Sequence, residues 1–248
     1  MLTLIPAFTD NYIYLVDTQR GLWIVDPGDA APVLSYLEDK QLQPSAILCT
    51  HHHGDHVGGV ATLQARYGIP VYGHGTRIPC LTHALTEGSV AIDGIRLEVL
   101  EIPGHTLDHI AFYWEDLLFC GDTLFAAGCG RIFEGNPAMM FASLQKLASL
   151  PKETRVCCAH EYTQSNLRFA AAVEPHNPAV TERQQKVDGL RRAGQPSLPS
   201  HLGEELASNP FLRCQQESVI AAACEHGATD RSPTAVFAAL RQWKDHFP

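Results

Sequence analysis

The segment Thr50-His51-His52-His53-Gly54-Asp55-His56 places four imidazoles and a carboxylate in seven residues, directly after the apolar run Ala46-Ile-Leu-Cys49. Imidazole nitrogen and carboxylate oxygen are the ligands of zinc and other borderline divalent metals. In extended backbone, residues i, i+2 and i+4 share a face. Alternation therefore puts His51, His53 and Asp55 on one side and His52 on the other, and His56 swings back as the chain turns toward the next helix. Such a loop feeds one metal or is shared between two, and its spacing leaves both open. Position within the chain and the Gly54-Asp55 interruption exclude a purification tag. Three more segments have the same form, an apolar strand running into a potential ligand. Leu97–Gly104 runs into His105, Leu117–Gly121 into Asp122, and Arg155–Ala159 into His160. The carboxyl edge of a sheet is where α/β proteins place their chemistry. Together these are seven candidate ligands, enough for two metals with one carboxylate bridging.

The elements that must position these residues are legible from pattern. Short runs rich in β-branched or aromatic residues predict strands at Thr3–Ile5, Tyr12–Val16, Leu22–Val25, Ala46–Cys49, Val71–Tyr72, Leu97–Ile102, Ile110–Trp114, Leu117–Cys120 and Arg155–Ala159. Helical spacing predicts helices at Ala31–Lys40, Val57–Arg66, Ala138–Leu150 and Glu161–Ala172. Near Val173 the texture changes. A long polar helix is expected near Ala179–Ala193, then a Pro-rich stretch, Gln195–Pro199, and two further helices near Gln216–Glu225 and Ser232–Asp245. The reading is an α/β body over residues 1–172 and a helical tail over 173–248.

Composition sets the outer bounds. The 248 residues are 45% hydrophobic and 18% charged, ordinary values for a folded chain. A net charge of −9 gives no global attraction for nucleic acid or an anionic membrane surface. No apolar run approaches the ~18 residues of a membrane span. The first charged residue is Asp10 and the first positive one Arg20, so no secretory signal is expected. The eight cysteines form no CxxC pair and several sit in apolar runs, which fits buried thiols in a reducing cytoplasm. No coiled-coil pattern suggests an oligomer, so a monomer is expected.

The motif Thr50-His-His-His-Gly-Asp-His56 resembles the HxHxDH signature of the metallo-β-lactamase superfamily. Several other segments resemble the glyoxalase II family, the hydroxyacylglutathione hydrolases. They are Thr9-Asp-Asn-Tyr12, Val25-Asp-Pro27, Pro103-Gly-His-Thr106, Gly121-Asp-Thr-Leu124, Gly128-Cys-Gly-Arg131 and His160-Glu-Tyr-Thr163. Leu202-Gly-Glu-Glu205, Asn209-Pro-Phe-Leu-Arg213 and Arg241-Gln-Trp-Lys244 continue the likeness through the tail. The resemblance implies a metallo-β-lactamase-like αββα four-layer sandwich with a C-terminal helical domain. It implies one divalent ion held by His51, His53 and His105, a second held by Asp55, His56 and His160, and Asp122 bridging them. Zinc is the expected metal, with iron or manganese open to the same ligands. Asp26 either orients a ligand from outside the metal shell or simply begins an Asp-Pro-Gly turn.

The implied reaction is hydrolysis of S-D-lactoylglutathione to glutathione and D-lactate. Two metals ~3.5–4 Å apart acidify a shared water, so no separate strong base is required. Asp55 is expected also to orient that water through its second oxygen. The leaving thiol has a pKa of ~8.5–9 and needs little help from an acid. The absence of GxSxG, P-loop and HExxH motifs agrees with such chemistry. By resemblance, Arg131, Tyr162, Asn166, Arg241 and Lys244 meet the glutathione moiety. Arg241 and Lys244 share a helix face at a spacing of three, although such pairs near a C-terminus are also common as solvated charges. Some positions depart from the family pattern. Phe133 replaces a frequent tyrosine, Arg131 a lysine, Asp108 a glycine and His201 a small hydroxyl residue. Alternatives are another hydrolase of the superfamily, a mononuclear-iron persulfide dioxygenase and a metal-binding protein without catalysis. The tail motifs, the second-metal ligands and the intact ligand set respectively argue against them. The remaining eight of the 13 histidines, His52 and His109 among them, are expected to be structural or solvated, and Cys129 to pack a tight turn.

Overall fold

The computed structural model describes every residue from Met1 to Pro248. The chain forms two compact units, residues 1–101 with 108–121, and residues 102–107 with 122–248. In the first, β1 (Leu2–Ala7), β2 (Asn11–Asp17) and β3 (Leu22–Val25) run antiparallel. The parallel strands β4 (Ala46–Leu48), β5 (Val71–Gly73) and β6 (His83–Ala84) continue the sheet in sequence order. Helices α1 (Ala30–Asp39), α2 (Gly54–Val57) and α3 (Val60–Tyr67) lie between these strands in the chain. Four further strands form an antiparallel meander: β7 (Gly88–Ile92), β8 (Ile95–Glu101), β9 (Ile110–Trp114) and β10 (Leu117–Gly121). An Asp93-Gly94 turn, with φ of 53° and 71°, joins β7 to β8 as two-residue hairpins require.

Strand β2 shows how the layers stack. Its Ile13 and Leu15 enter one core with Ile24 and Ile47, Val33 and Leu37 of α1, and Val60 and Leu63 of α3. Each such buried aliphatic side chain contributes about 1.5–3 kcal/mol. On the opposite face Tyr14 meets Phe119 of β10 edge-on at 5.7 Å, and in β3 Trp23 meets Trp114 of β9 at 5.4 Å. A strand buried on both faces reads as a continuous apolar run, which is why the sequence marked β2 and β3 so clearly. The single helix expected over Val57–Arg66 is instead two. The break falls at Gly58-Gly59, where the Gly59 amide donates to the Pro27 carbonyl at 2.8 Å and a Cβ would lie 2.7 Å from that oxygen. Only glycine lets the chain approach the Asp26-Pro27-Gly28 turn so closely.

The second unit contains the hairpin β11 (Leu124–Phe125) and β12 (Gly128–Cys129), then α4 (Pro137–Ala148), β13 (Arg155–Cys158), α5 (Thr163–Val173) and α6 (Pro178–Arg192). It ends with β14 (Ser200–His201), α7 (Leu202–Ser208), a 3₁₀ turn at Pro210–Leu212, α8 (Glu217–Glu225) and α9 (Pro233–Asp245). Three of these helices begin alike. Asn136, Asn177 and Ser232 each cap a backbone N–H, and each is followed by proline in the first turn. Aromatic contacts tie the helices together. Phe169 meets Phe211 and Trp243 at 5.8 and 5.1 Å, and Phe237 meets Phe211 and Phe141, both at 5.8 Å. Six of the eight cysteines are buried and none is disulfide-bonded. No helix is long and apolar enough to cross a membrane.

Candidate metal centre and active site

In the first unit the ligand loop hangs from Asp26, which follows β3 in a left-handed conformation (φ 50°) and is 4% exposed. Asp26 Oδ1 accepts from the Thr50 amide at 2.7 Å. Its Oδ2 accepts from the Thr50 hydroxyl at 2.7 Å and from His56 Nδ1 at 3.0 Å. Because the Thr50 proton is spent on Asp26, its oxygen accepts from His51 Nδ1 at 3.1 Å. Both histidines thus carry their proton on Nδ1 and present Nε2 as the lone-pair nitrogen. Their rings lie 4.1 Å apart, and the His53 ring is 4.7 Å from that of His51. Asp26 also opens the Asp-Pro-Gly turn, with Gly28 N–H donating to its carbonyl at 2.9 Å.

The alternation expected through Asp55 ends at His53. That residue is extended (φ −61°, ψ 144°) and caps α2, so Asp55 sits in the first helical turn. The helix supplies the bend that extended geometry lacks. Asp55 Oδ2 accepts from Asn11 Nδ2 at 3.1 Å and lies 3.6 Å from His56 Nε2. Asn11 was not among the residues singled out from the sequence. In the sequence, the Thr9-Asp-Asn-Tyr12 segment is the only signal for it.

In the second unit Asp122 stands between two imidazoles. His105 Nε2 is 3.5 Å from its Oδ2, and His160 Nε2 is 3.3 Å from its Oδ1. His105 Nδ1 donates to the Arg131 carbonyl at 2.8 Å, which again leaves Nε2 as the lone-pair nitrogen. His160 stacks on Tyr162 with ring centres 4.8 Å apart. All three metal-ligand candidates are less than a tenth exposed. Gly130 permits the arrangement, since a Cβ there would sit 1.8 Å from the Asp122 carbonyl oxygen. In each unit the candidate donors are imidazole nitrogens and a carboxylate, with no thiol among them, and this chemistry fits a borderline divalent ion.

Beside Asp122 and His105 opens a cavity of about 360 Å³, lined also by Arg131, Tyr162, Asn166, Arg241 and Lys244. The structure thus brings together all five side chains expected to meet substrate, although they are not equally available. Arg241 is 6% exposed and braces the Cys129-Gly130 turn. Its Nη1 donates to the Cys129 carbonyl at 2.8 Å, its Nη2 to Asp245 at 3.0 Å, and its guanidinium lies over Phe211. Its buried Nε has no hydrogen-bond partner. Asn166 spends an amide N–H on the Ala126 carbonyl at 3.0 Å. Lys244 Nζ reaches Ser165 Oγ at 3.4 Å and lies over the rings of Phe169 and Phe247. Burial pushes its pKa down, and the neighbouring charges of Arg241, Arg168 and Arg131 add to the shift. An acidic chain thus carries a local cationic pocket. Burial also pushes the Cys129 thiol up to about 11, against a lowering by Arg241, so it stays protonated at neutral pH and has no role as a nucleophile.

The pocket wall rests on residues for which the sequence suggested no role. Asn209 Nδ2 donates to the carbonyls of Phe125 and Gly128 at 3.2 and 2.9 Å, and Glu205 Oε2 accepts from the Ala127 amide at 2.7 Å.

Residues 7–160 match the metallo-β-lactamase superfamily, and the fold is that of this class. The crystal structure of ETHE1 from Myxococcus xanthus superposes with a TM-score of 0.71 at 21% identity, covering 100% of this chain and 92% of that one. The structure of TTHA1623 in a di-iron-bound form is 34% identical, with a TM-score of 0.57, over 64% of this chain and 91% of that one. Residues 161–247 match the hydroxyacylglutathione hydrolase C-terminus. A hydroxyacylglutathione hydrolase of Nitrosomonas europaea is 52% identical over 98% of this chain and 95% of its own length. The chain belongs to the hydroxyacylglutathione hydrolase family, the glyoxalase II enzymes. It is accordingly a metal-binding hydrolase of the glyoxalase II step.

Proposed function

We propose that His51, His53 and His105 hold one divalent ion, that Asp55, His56 and His160 hold a second with Asp122 bridging, and that the substrate is S-D-lactoylglutathione. The observation that carries this reading is Asp122 itself, one oxygen toward each of two imidazoles beside a cationic pocket. When bound, such a metal pair polarises the thioester carbonyl and acidifies a water to near neutrality. Asp55, held by Asn11, would orient that water through its second oxygen. Arg131, Arg241 and Lys244, which line the pocket, pair with the glutathione carboxylates. Tyr162, stacked on His160, and Asn166 receive the peptide. The departing thiolate needs no dedicated acid. Zinc is the proposed metal. The di-iron form of TTHA1623 makes iron the leading alternative, and manganese fits the same ligands. We take residues 1–172 as the catalytic body, 173–248 as the substrate-binding helices, and the protein as a cytoplasmic monomer.

Incubation with lactoylglutathione, followed by loss of thioester absorbance, tests the reading. Hydrolysis is expected with the metallated chain and is expected to stop when a chelator strips it. A fully metallated chain that leaves the thioester intact would refute the substrate. One metal per chain at full activity would refute the pair.

Lys244 gives a pH-dependent prediction. Its lowered pKa means its charge is lost at a lower pH than for an ordinary lysine. KM is therefore expected to rise on the alkaline side as pH passes through that depressed pKa, while kcat changes less. Lys244→Ala should raise KM at neutral pH and abolish this alkaline limb. An unchanged KM would remove Lys244 from the pocket's function.

A further inference from the structure

We propose that Asp108 is a positioning residue for the metal-ligand loop and acts through His52. The inference rests on the reading of His51 and His53 as metal ligands.

The segment Asp108-His109-Ile110 grips Thr50-His51-His52 one residue at a time and in opposite direction. The Ile110 amide donates to the Thr50 carbonyl at 2.9 Å. The His109 ring stacks on the His51 ring at 4.5 Å with 13° between planes. His52 Nδ1 donates to Asp108, with carboxylate oxygens at 2.9 and 3.0 Å. Arg77 Nη2 lies 3.4 Å from Oδ2 of the same carboxylate and supplies a cation on its outer side. Asp108 is 7% exposed, so this charge is buried and paired rather than solvated.

His52 stands between His51 and His53 in the chain, its ring 6.4 Å from that of His51 and 5.0 Å from that of His53. A ring fixed there fixes the peptide planes on both sides of it, and with them the directions in which His51 and His53 leave the backbone. Groups outside a metal's own shell that hold its ligands in place strongly affect affinity. The glycine usual at this position in the family carries no side chain for the purpose. Asp108 therefore turns a background histidine into an anchor. It also lies three residues beyond His105 in sequence, on the loop that carries that ligand.

The test uses the zinc-loaded full-length chain and follows zinc release into an excess of a metal-binding chromophore. Release is expected to quicken about tenfold or more in Asp108→Ala. Asp108→Asn, whose amide oxygen still accepts the Nδ1–H, should return it to within a few-fold of the unsubstituted chain. His52→Ala should match Asp108→Ala, and the double variant should release no faster than either single one. Thermal unfolding of each metal-free variant separates loss of positioning from loss of fold. If Asp108→Ala does not fold, Asp108→Asn and His52→Ala carry the comparison. Release at the unsubstituted rate in Asp108→Ala or His52→Ala, or multiplied effects in the double variant, would overturn the proposal. An unsubstituted chain that takes up no zinc would instead overturn the metal-ligand reading, and this inference with it.

Discussion

Asp122→Asn is expected to lower kcat/KM for thioester hydrolysis by at least about 100-fold, with the metal content falling below that of the unsubstituted chain. The lower bound follows from what is already known of weaker changes. Partners that merely orient a ligand are worth ~10–100-fold, and Asp122 is proposed as a ligand to both metals. Asparagine matches its shape but not its chemistry. The carboxylate gives one oxygen to each imidazole, 3.5 Å from His105 and 3.3 Å from His160. An amide gives one oxygen and one NH₂, and the NH₂ side cannot accept a metal. Asp122 is 7% exposed, so no water ligand easily replaces it. Steady-state kinetics together with metal analysis checks this. Full activity with two metals per chain in Asp122→Asn would exclude a bridging role.

Much of this site was visible before any fold. The proposed ligands His51, His105, Asp122 and His160 follow strands, and strands announce themselves by apolar runs: Leu22–Val25 and Ile110–Trp114 appear in the structure with the bounds read from sequence. What failed was local geometry where two rules compete. Alternation brings His51 and His53 together, but Gly54 and Asp55 open a helical turn, and nothing in seven residues signals which periodicity prevails. Two-residue strands such as β6, β11, β12 and β14 are too short to have a period at all. Strand β7 was missed although Asp93-Gly94 marks its hairpin, because Gly88-Ser-Val-Ala-Ile carries few strong strand formers. Long-range polar pairs were beyond reach. Asp108 stood out only as a departure from pattern, and its meeting with His52 joins residues 56 apart. Arg241 carried two readings, ligand contact or solvated charge. Its buried hydrogen bonds to the Cys129-Gly130 turn are a third.

Among these long-range pairs the one with the largest consequence involves Glu205, which lies in the first turn of α7 and is wholly buried. It pairs with Arg183, itself 6% exposed, and accepts from Ser200 Oγ at 2.6 Å, the Ala127 amide at 2.7 Å and Asn209 Nδ2 at 3.2 Å. Glu205→Ala is expected to destabilise the protein by about 3–5 kcal/mol, because it leaves the Arg183 charge buried without its counter-ion. For a chain of this size that is roughly a 6–20 °C fall in Tm. A second substitution distinguishes the charge from the network. Replacing both partners with apolar residues, Arg183→Met with Glu205→Leu, removes the uncompensated charge and should recover part of the loss. Recovery should stay incomplete, since Ala127 N–H, Ser200 and Asn209 then keep buried donors with fewer acceptors. The deficit has a functional address. Ala127 belongs to the connection between β11 and β12, and β12 carries the Cys129-Gly130 turn that Arg241 braces at the pocket. At temperatures where Glu205→Gln remains folded, its KM should therefore rise while its metal content does not change. A Tm within a degree or two of the unsubstituted chain for Glu205→Ala would show that Glu205 and Arg183 do not depend on each other as their geometry indicates.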